Sequence, residues 1–443
     1  MPIKIQRLAL LFVFLTALLS LVACGILPST SDQENAQASV ITQDPALTYV
    51  CRDGSILYTY RDSLPEDFSL LCERYEEQGY TLYNSSVMGN NVASTYVNGS
   101  AMAHIYRHES TGELNLVLSE DAGATLPPAI PEKANELTAC TVTQMMDADS
   151  EIGMGYVVQL TDGSYIVYDG SFARQADKIL QFLQEHHPGE GKPLVRAWVL
   201  THSHRDHYEA FRVLAEQALS EEAFTVEYFI VSPLNDENYE LSAESGYLSR
   251  EFYREVEAFT GAKVIFAHTG MTFHFGNLSM EILFAPESYF KNTSKIYYFN
   301  NTSLVTRLFD SRYSALFLGD VGHTGTDLMV QYYGNYLQSD MCQISHHGYE
   351  DVPVSFYQVV QAPILFYPCN QQAYEMQDRY YHVRRELQDE PYTKEILIAG
   401  LAQYTRPWGT TFTEDAPLSI PDYIPSEAIK DEFFSPSPSR KIS

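Results

Sequence analysis

The sequence predicts an α/β protein in which a small α+β unit precedes a larger domain. From about residue 137, apolar strand-like segments alternate with amphipathic helical segments, which is typical of α/β folds. A proline-rich stretch at 126–133 separates this region from a shorter one that contains one helical pattern and several alternating strands. The chain has 443 residues, enough for two such units.

The first 23 residues form a pattern that resembles a bacterial lipoprotein signal. Lys4 and Arg7 precede an apolar run from Leu8 to Leu19, which is too short to span a bilayer comfortably. The run leads into Leu21-Val22-Ala23-Cys24, and Cys24 is at the position that such signals lipidate before cleavage. A plain secretory signal and an N-terminal membrane anchor remain alternatives. We expect a protein anchored to the cell membrane through a lipid on Cys24, on the extracytoplasmic face.

Residues 24–45 are polar and are predicted to form a flexible tether. Residues 46–128 form the predicted α+β unit, with a helix around Leu71 that ends near Gly79. No pattern assigns a chemistry to this unit. Residues 129–410 form the larger predicted domain, and 411–443 are rich in Pro, Ser and acidic residues, which predicts a loose tail.

Acidic side chains dominate the composition. The chain carries 57 acidic and 28 basic residues, a net charge of −29. Removal of residues 1–23 would leave 26 basic residues and a net charge of −31. Such a surface repels polyanions, so nucleic acid is disfavoured as a partner, although a local phosphate site stays open. The five cysteines after Cys24 are scattered and contain no C-x-x-C pair, which favours buried thiols and leaves a Cys51–Cys72 bridge open.

In the larger domain, four ionisable side chains lie close together in sequence at the end of one predicted buried strand. The strand pattern RAWVLTH runs into His202, His204, Asp206 and His207, and a helical pattern follows. Loops at strand ends are where α/β proteins place their sites. Side chains two apart in extended backbone point the same way, so His202 and His204 could bind one ion. Asp206 and His207 could then bind a second ion nearby. With 13 His and 57 acidic residues, H-x-H-x-[DE]-H arises by chance in about one to two such chains per thousand.

Two later segments place similar side chains at strand ends. The apolar pattern ALFLGD ends at Asp320, and CQISHHG contains His346 and His347. The Asp320 segment alone is a weak signal, since an aspartate after a strand is commonly a turn residue, and the His346-His347 pair is a stronger one. Together and in this order they indicate one site.

The ordered segments resemble the metallo-β-lactamase superfamily over roughly residues 137–405. The resemblance implies a four-layer αββα sandwich, preceded here by the small α+β domain. It implies that Asp169, at the end of an early hairpin, supports the metal loop. It also implies that Asp320 bridges two metals and that His347 is a late ligand.

More narrowly, the later segments are similar to the hydrolase domain of ComEC and to secreted phosphorylcholine esterases. In that subgroup a separate histidine ligand is commonly missing, and an Asn-Asn-x-Ser segment lies in that region, as Asn300 to Ser303 do here. We therefore expect His268 and His274 not to be ligands. Glu209-Ala210 and Tyr349 depart from the family pattern, and we expect both departures at the pocket rim.

The resemblance implies a binuclear site. His202, His204 and Asp320 would hold one divalent ion, and the second would be held by Asp206, His207, Asp320 and His347. Zinc is the expected metal, with manganese or iron as alternatives. A shared hydroxide would attack a phosphoester or phosphodiester in a small-molecule or cell-envelope substrate. Asp206, also a ligand, and His346 are the predicted catalytic residues.

The predicted roles of His346 and His347 rest on backbone geometry. Gly348 permits a sharp turn that would close His347 onto the metal. If the backbone is still extended, the two histidines leave on opposite sides, and His346 would face the substrate.

Two other functions stay open from the sequence. An extracellular nuclease would follow from the ComEC resemblance, although the negative charge disfavours it. A non-catalytic lipoprotein that binds a metal or another ligand would keep the fold without turnover. The sequence does not indicate an oligomeric state.

Overall fold

The computed structural model describes residues 39–130, 136–148, 152–221, 223–235, 238, 255–256, 259, 261–290, 299–349, 352–376 and 383–425. The predicted signal, Cys24 and most of the predicted tether lie outside these residues. Within the described ranges, no helix combines the length and apolar character needed to cross a membrane. The described chain from Val40 onward belongs to one compact unit.

The first described sheet has six antiparallel strands in the order β1-β2-β6-β5-β4-β3. They are β1 (Leu47–Val50), β2 (Ile56–Tyr60), β3 (Thr81–Met88), β4 (Asn91–Asn98), β5 (Ala101–His108) and β6 (Glu113–Ser119). Helix α1 (Pro65–Glu77) covers one face through Leu71 and Tyr75. Its first turn is fixed by a proline and by Asp67, which accepts a hydrogen bond from the Leu64 amide at 2.8 Å.

Two further sheets, each of seven described strands, form the rest of the structure. The second sheet begins with β7 (Thr141–Gln144), β8 (Gly155–Gln159), β9 (Tyr165–Asp169), β10 (Leu194–Val199), β11 (Thr225–Val231) and β12 (Lys263–Phe266). The third sheet contains β13 (Thr272–Phe275), β14 (Leu278–Phe284), β15 (Val305–Phe309), β16 (Ser314–Phe317), β17 (Met341–Gln343), β18 (Ile364–Tyr367) and β19 (Glu395–Ile398). The last strand, β20 (Tyr404–Pro407), returns to the second sheet beside β7.

The described helices of this larger part are α2 (Ala176–Glu185), α3 (Arg205–Glu221), α4 (Pro286–Phe290), α5 (His323–Tyr333), α6 (Val354–Val360), α7 (Gln371–Met376) and α8 (Val383–Asp389). Strands β9 to β12 are parallel neighbours in the second sheet, and β16 to β19 are parallel neighbours in the third. Helices connect several of these strands, as parallel pairing requires.

Alternating side chains build four layers, because successive residues of a strand point to opposite faces. One face of the second sheet packs on α2 and α3 through Val157, Val167, Trp198, Ile179 and Phe211. Its other face meets the third sheet in a central core that includes Val158, Ile166, Val199, Ile282 and Phe317. The outer face of the third sheet is covered by α5, α6 and α7, through Leu316, Leu365, Met329, Phe356 and Tyr374. The predicted αββα sandwich is confirmed.

The first sheet shares this interior. Leu57 and Met102 belong to the same central core as the sandwich, and the Nδ2 atom of Asn84 donates to the Thr272 carbonyl at 2.6 Å. Val40 and Ile41, from the end of the predicted tether, are buried against the α1 side of the sheet. The boundary between the two predicted domains stays a prediction.

A short part of the predicted loose tail, around Ser419, pairs with β19. The Ile396 amide donates to the Ser419 carbonyl at 2.9 Å, and the Ser419 amide donates to the Lys394 carbonyl at 2.9 Å. Leu418 and Ile420 flank Ser419 and pack against the outer core. This short apolar alternation supports strand-like pairing, and the composition of the whole segment concealed it.

The five described cysteines form no disulfide with one another. The Cys51–Cys72 bridge left open by the sequence is therefore not formed.

Candidate metal centre

Four loops at the carboxyl ends of parallel strands bring the predicted site residues together. Asp169 ends β9, and the His202–His207 segment follows β10, its neighbour in the second sheet. Asp320 follows β16, and His346 and His347 follow β17, its neighbour in the third sheet. Each sheet thus contributes two loops to one buried cluster.

The first group of side chains contains Asp206, His207, Asp320 and His347, all buried. The Nε2 atom of His347 lies 2.8 Å from Asp206 Oδ2 and 3.3 Å from Asp320 Oδ2. The Nε2 atom of His207 lies 3.1 Å from Asp320 Oδ2 and 3.3 Å from Nε2 of His347. Two imidazoles and two carboxylates therefore point at one small volume.

Hydrogen bonds at the Nδ1 atoms of His207 and His347 determine the protonation of the Nε2 atoms that face this volume. The Nδ1–H of His207 donates to Asp169 Oδ2 at 2.7 Å, and the Nδ1–H of His347 donates to the Pro368 carbonyl at 2.8 Å. In each neutral ring the proton then sits on Nδ1, so Nε2 carries a lone pair. Lone pairs that converge with two carboxylate oxygens repel one another unless a cation lies between them, so the group suits a metal ion.

The charges of the cluster indicate the same preference. Burial would lower the pKa of His347, yet the carboxylates of Asp320 and Asp206 outweigh it and raise that pKa to about 10. Burial would raise the pKa of Asp206, but His207 and His347 hold it below its usual value. The cluster therefore favours positive charge, which protons on histidine or a divalent cation can supply. Because protons and metal compete for the same lone pairs, metal affinity is expected to fall as the pH is lowered.

The second group contains His202, His204 and Asp320. The Nε2 atom of His202 lies 3.0 Å from Nδ1 of His204 and 3.7 Å from Asp320 Oδ2. The Oδ1 atom of Asp320 is buried and has no hydrogen-bond partner among the described residues. A buried carboxylate oxygen without a donor is costly, and a bound cation would satisfy it.

All six predicted ligands fall into these two groups, with Asp320 in both. In each group the ligand atoms lie within 4.8 Å of one another. Imidazole nitrogen and carboxylate oxygen are donors that zinc, manganese and iron accept. The residues present therefore fit divalent metal ions.

Asp169 lies behind the cluster, where it contacts the loop that follows β10. Its Oδ1 accepts the Thr201 amide hydrogen at 2.8 Å and its Oδ2 accepts the Thr201 hydroxyl at 2.8 Å, besides the bond to His207. Asp169 adopts φ 52°, in the left-handed region. This strained conformation points the carboxylate at the loop, the supporting position that the resemblance implied.

The side chains of His346 and His347 point in different directions, but extended backbone is not the reason. Strand β17 ends at Gln343, and both histidines adopt left-handed conformations, with φ 48° and 54°. His347 enters the cluster, whereas His346 turns to Asn300, whose Nδ2 donates to its Nε2 at 2.9 Å. The condition of extended backbone, on which the sequence argument depended, is not met. Gly348, with φ 79°, makes the predicted turn.

His268 and His274 lie outside both groups of candidate ligands. His268 is buried 3.6 Å from Glu287, and Nδ1 of His274 lies 2.8 Å from the Ser279 hydroxyl.

Ala210, one of the departures from the family pattern, is fully buried, and its Cβ lies 3.2 Å from the position that a Cβ on Gly170 would occupy. The expected rim position is therefore wrong for Ala210, because this residue packs in a helix–turn contact.

Sequence reasoning missed the residues that hold the ligand loops from behind. Ser303 and Thr201 lie beside Nδ1 of His202, at 3.3 and 3.2 Å. Gln343 donates to the Gly319 carbonyl at 2.9 Å and accepts the Leu318 amide at 2.7 Å. The Asn300–Ser303 segment was the one available signal, but spacing did not reveal its contacts.

The fold and the site together define an α/β-sandwich protein with a buried His/Asp cluster suited to divalent metal ions. No family model matches the sequence, and no curated protein matches it. Among solved structures it is similar to CmlA, a diiron β-hydroxylase from Streptomyces venezuelae (12% identity, TM-score 0.31, 61% of this chain and 45% of that one).

It is also similar to zinc-bound PqqB from Methylobacterium extorquens (14%, TM-score 0.31, 46% of this chain and 72% of that one). A third match is a motif mutant of a metallo-β-lactamase from Cronobacter sakazakii (10%, TM-score 0.28, 45% and 75%). This chain spans less than half of CmlA. At these identities and TM-scores, the similarities assign neither an activity nor a substrate to the chain.

Proposed function

We propose that the protein is a binuclear metal-dependent hydrolase of phosphoester or phosphodiester bonds. The observation that carries this proposal is Asp320, which belongs to both groups of candidate ligands and whose Oδ1 is buried without a hydrogen-bond partner among the described residues. A carboxylate shared by two such groups suits a pair of divalent ions. Paired ions of this kind supply an activated water and neutralise charge that develops on the substrate.

The protein's own groups would position the reaction. Asp169 and the Pro368 carbonyl fix the ring orientations of His207 and His347. Burial of the cluster excludes bulk water and strengthens every electrostatic contact inside it. His346 is only partly buried and is held by Asn300, so we assign to it the donation of a hydrogen bond or a proton to the leaving group.

A substrate panel tests the proposed reaction. Protein loaded with zinc or manganese would be assayed on a phosphodiester, a phosphomonoester, a thioester and a lactam, each with a matched chelator-treated sample. We expect chelator-sensitive turnover of at least one phosphoester. Metal binding without turnover of any ester would favour the alternative of a non-catalytic binding protein.

The extracellular nuclease is kept as a second outcome of the same assay. A short oligonucleotide and a long duplex would be added to the panel. The net charge of −29 disfavours binding of long duplexes through nonspecific phosphate contacts. Duplex cleavage faster than cleavage of the small diesters would favour the nuclease.

We also propose that the protein is anchored to the cell membrane by a lipid on Cys24, on the extracytoplasmic face. Cys24→Ala is expected to leave the protein unprocessed, or to release it from the membrane fraction, because the lipid has no other attachment site in this signal. Mass spectrometry of the N-terminal peptide and membrane fractionation measure this. A Cys24→Ala protein that is cleaved and anchored like wild type contradicts the proposal.

A further inference from the structure

Ser303 contacts a ligand loop from each of the two sheets without belonging to either group of candidate ligands. It is fully buried. Its Oγ accepts the Asp320 amide hydrogen at 2.9 Å and lies 3.3 Å from Nδ1 of His202. The loop after β10 and the loop after β16 therefore meet at one hydroxyl. The next residue strengthens this connection, since the Leu304 amide donates to the Thr201 carbonyl at 2.9 Å.

The contact to His202 falls on the nitrogen that faces away from the candidate metal position. The Nε2 atom of His202 is the one near His204 and Asp320, so Nδ1 is left to carry the proton. Two hydroxyl oxygens lie within reach of that proton, on Ser303 and Thr201. Hydrogen bonds of this kind set the tautomer and the ring orientation of a ligating histidine.

Gly319 shows how closely Ser303 is held. A Cβ on Gly319 would lie 2.9 Å from the Ser303 Oγ and 3.0 Å from the Thr201 Cβ, and Gly319 adopts φ +55°. The absence of a side chain at position 319 thus lets Ser303 approach the Asp320 amide. The Ser303 hydroxyl, the Gly319 backbone and the Asp320 amide therefore form one closely packed unit.

We propose that Ser303 is a positioning residue for the metal position formed by His202, His204 and Asp320. This inference rests on the proposed binuclear function. The other position has independent supports, because His207 is oriented by Asp169 and His347 by the Pro368 carbonyl. Loss of the Ser303 hydroxyl should therefore weaken one metal position more than the other.

The test is a stepwise metal titration of Ser303→Ala against a chromophoric chelator, with zinc and with cobalt. We expect one of the two binding steps, that of the position formed by His202, His204 and Asp320, to lose roughly 10–100-fold in affinity, the range typical of lost outer contacts to a ligand. The other step should stay near its wild-type value. The cobalt absorption bands of one site should be lost at metal concentrations that fill both sites in the wild type.

Thr306→Val is the matched control. It also removes a buried hydroxyl, one that lies 2.7 Å from the Tyr168 hydroxyl and contacts no candidate ligand in the described structure. Both of its binding steps should match the wild type even if its thermal stability falls. If Ser303→Ala does not fold, Ser303→Cys carries the same expectation, because a thiol fills the position of the hydroxyl but accepts hydrogen bonds only weakly.

Two results would overturn the inference while leaving the proposed function intact. In the first, Ser303→Ala binds both ions as the wild type does. In the second, it weakens both steps equally, which would make Ser303 a general structural residue. A wild-type protein that binds no metal would instead overturn the proposed function itself.

Discussion

Asp320→Ala is expected to remove both metal ions and to reduce hydrolysis by roughly 10³-fold or more, beyond the loss of a single charge-stabilising group. Asp320 is the one residue shared by both groups of candidate ligands. Its removal would leave His207 and His347 without the carboxylate 3.1 and 3.3 Å from their Nε2 atoms. Elemental analysis and the rate on the best substrate of the panel would be measured on the same preparation.

Asp310→Asn is the matched control for this substitution. Asp310 also follows a strand of the third sheet, but its carboxylate accepts hydrogen bonds from the Arg312 and Tyr313 amides and from Trp408. This variant should lose stability and keep its metal. An Asp320→Ala protein that retains one tightly bound ion would show that the aspartate is not shared.

Substitutions of the adjacent histidines His346 and His347 are expected to have different effects on metal content and rate. His347→Ala should lose metal together with activity, because Nε2 of His347 lies among Asp206, His207 and Asp320. His346→Ala should keep its metal and lose mainly kcat, by roughly the 10²–10⁴-fold typical of a general acid. Metal content and rate, measured for both variants, separate the two roles.

Asn300→Ala is expected to have a smaller effect than His346→Ala. It removes the group that donates to Nε2 of His346 at 2.9 Å while leaving the imidazole in place, so kcat should fall less than in His346→Ala. The assignment is reversed if His346→Ala strips the metal and His347→Ala retains it.

The α/β class and the His202–His207 segment could be predicted from the residues themselves, because strand ends and ligand spacing are local signals. Asp320 and His347 each follow another strand pattern, and their places in the two groups were implied by the family resemblance. The structure brings the three segments together because the carboxyl ends of parallel neighbours lie at the same edge of a sheet.

Other features depend on contacts between distant residues, which spacing cannot show. The left-handed conformations of His346 and His347 arise in a turn whose amide at 346 donates to the Gly319 carbonyl. The role of Ser303 depends on the loop that carries Asp320 and on the missing side chain of Gly319. Composition likewise suggested a loose tail at 411–443, and within its described part Leu418 and Ile420 pack against the outer core beside β19.

Metal stoichiometry of the wild-type protein tests the central claim most directly. Protein purified without chelator, then loaded with zinc or manganese and freed of excess ions, would be analysed for metal and protein in the same sample. The shared Asp320 predicts about two divalent ions per chain. A stoichiometry that stays near zero after loading would contradict the binuclear site and the proposed hydrolase.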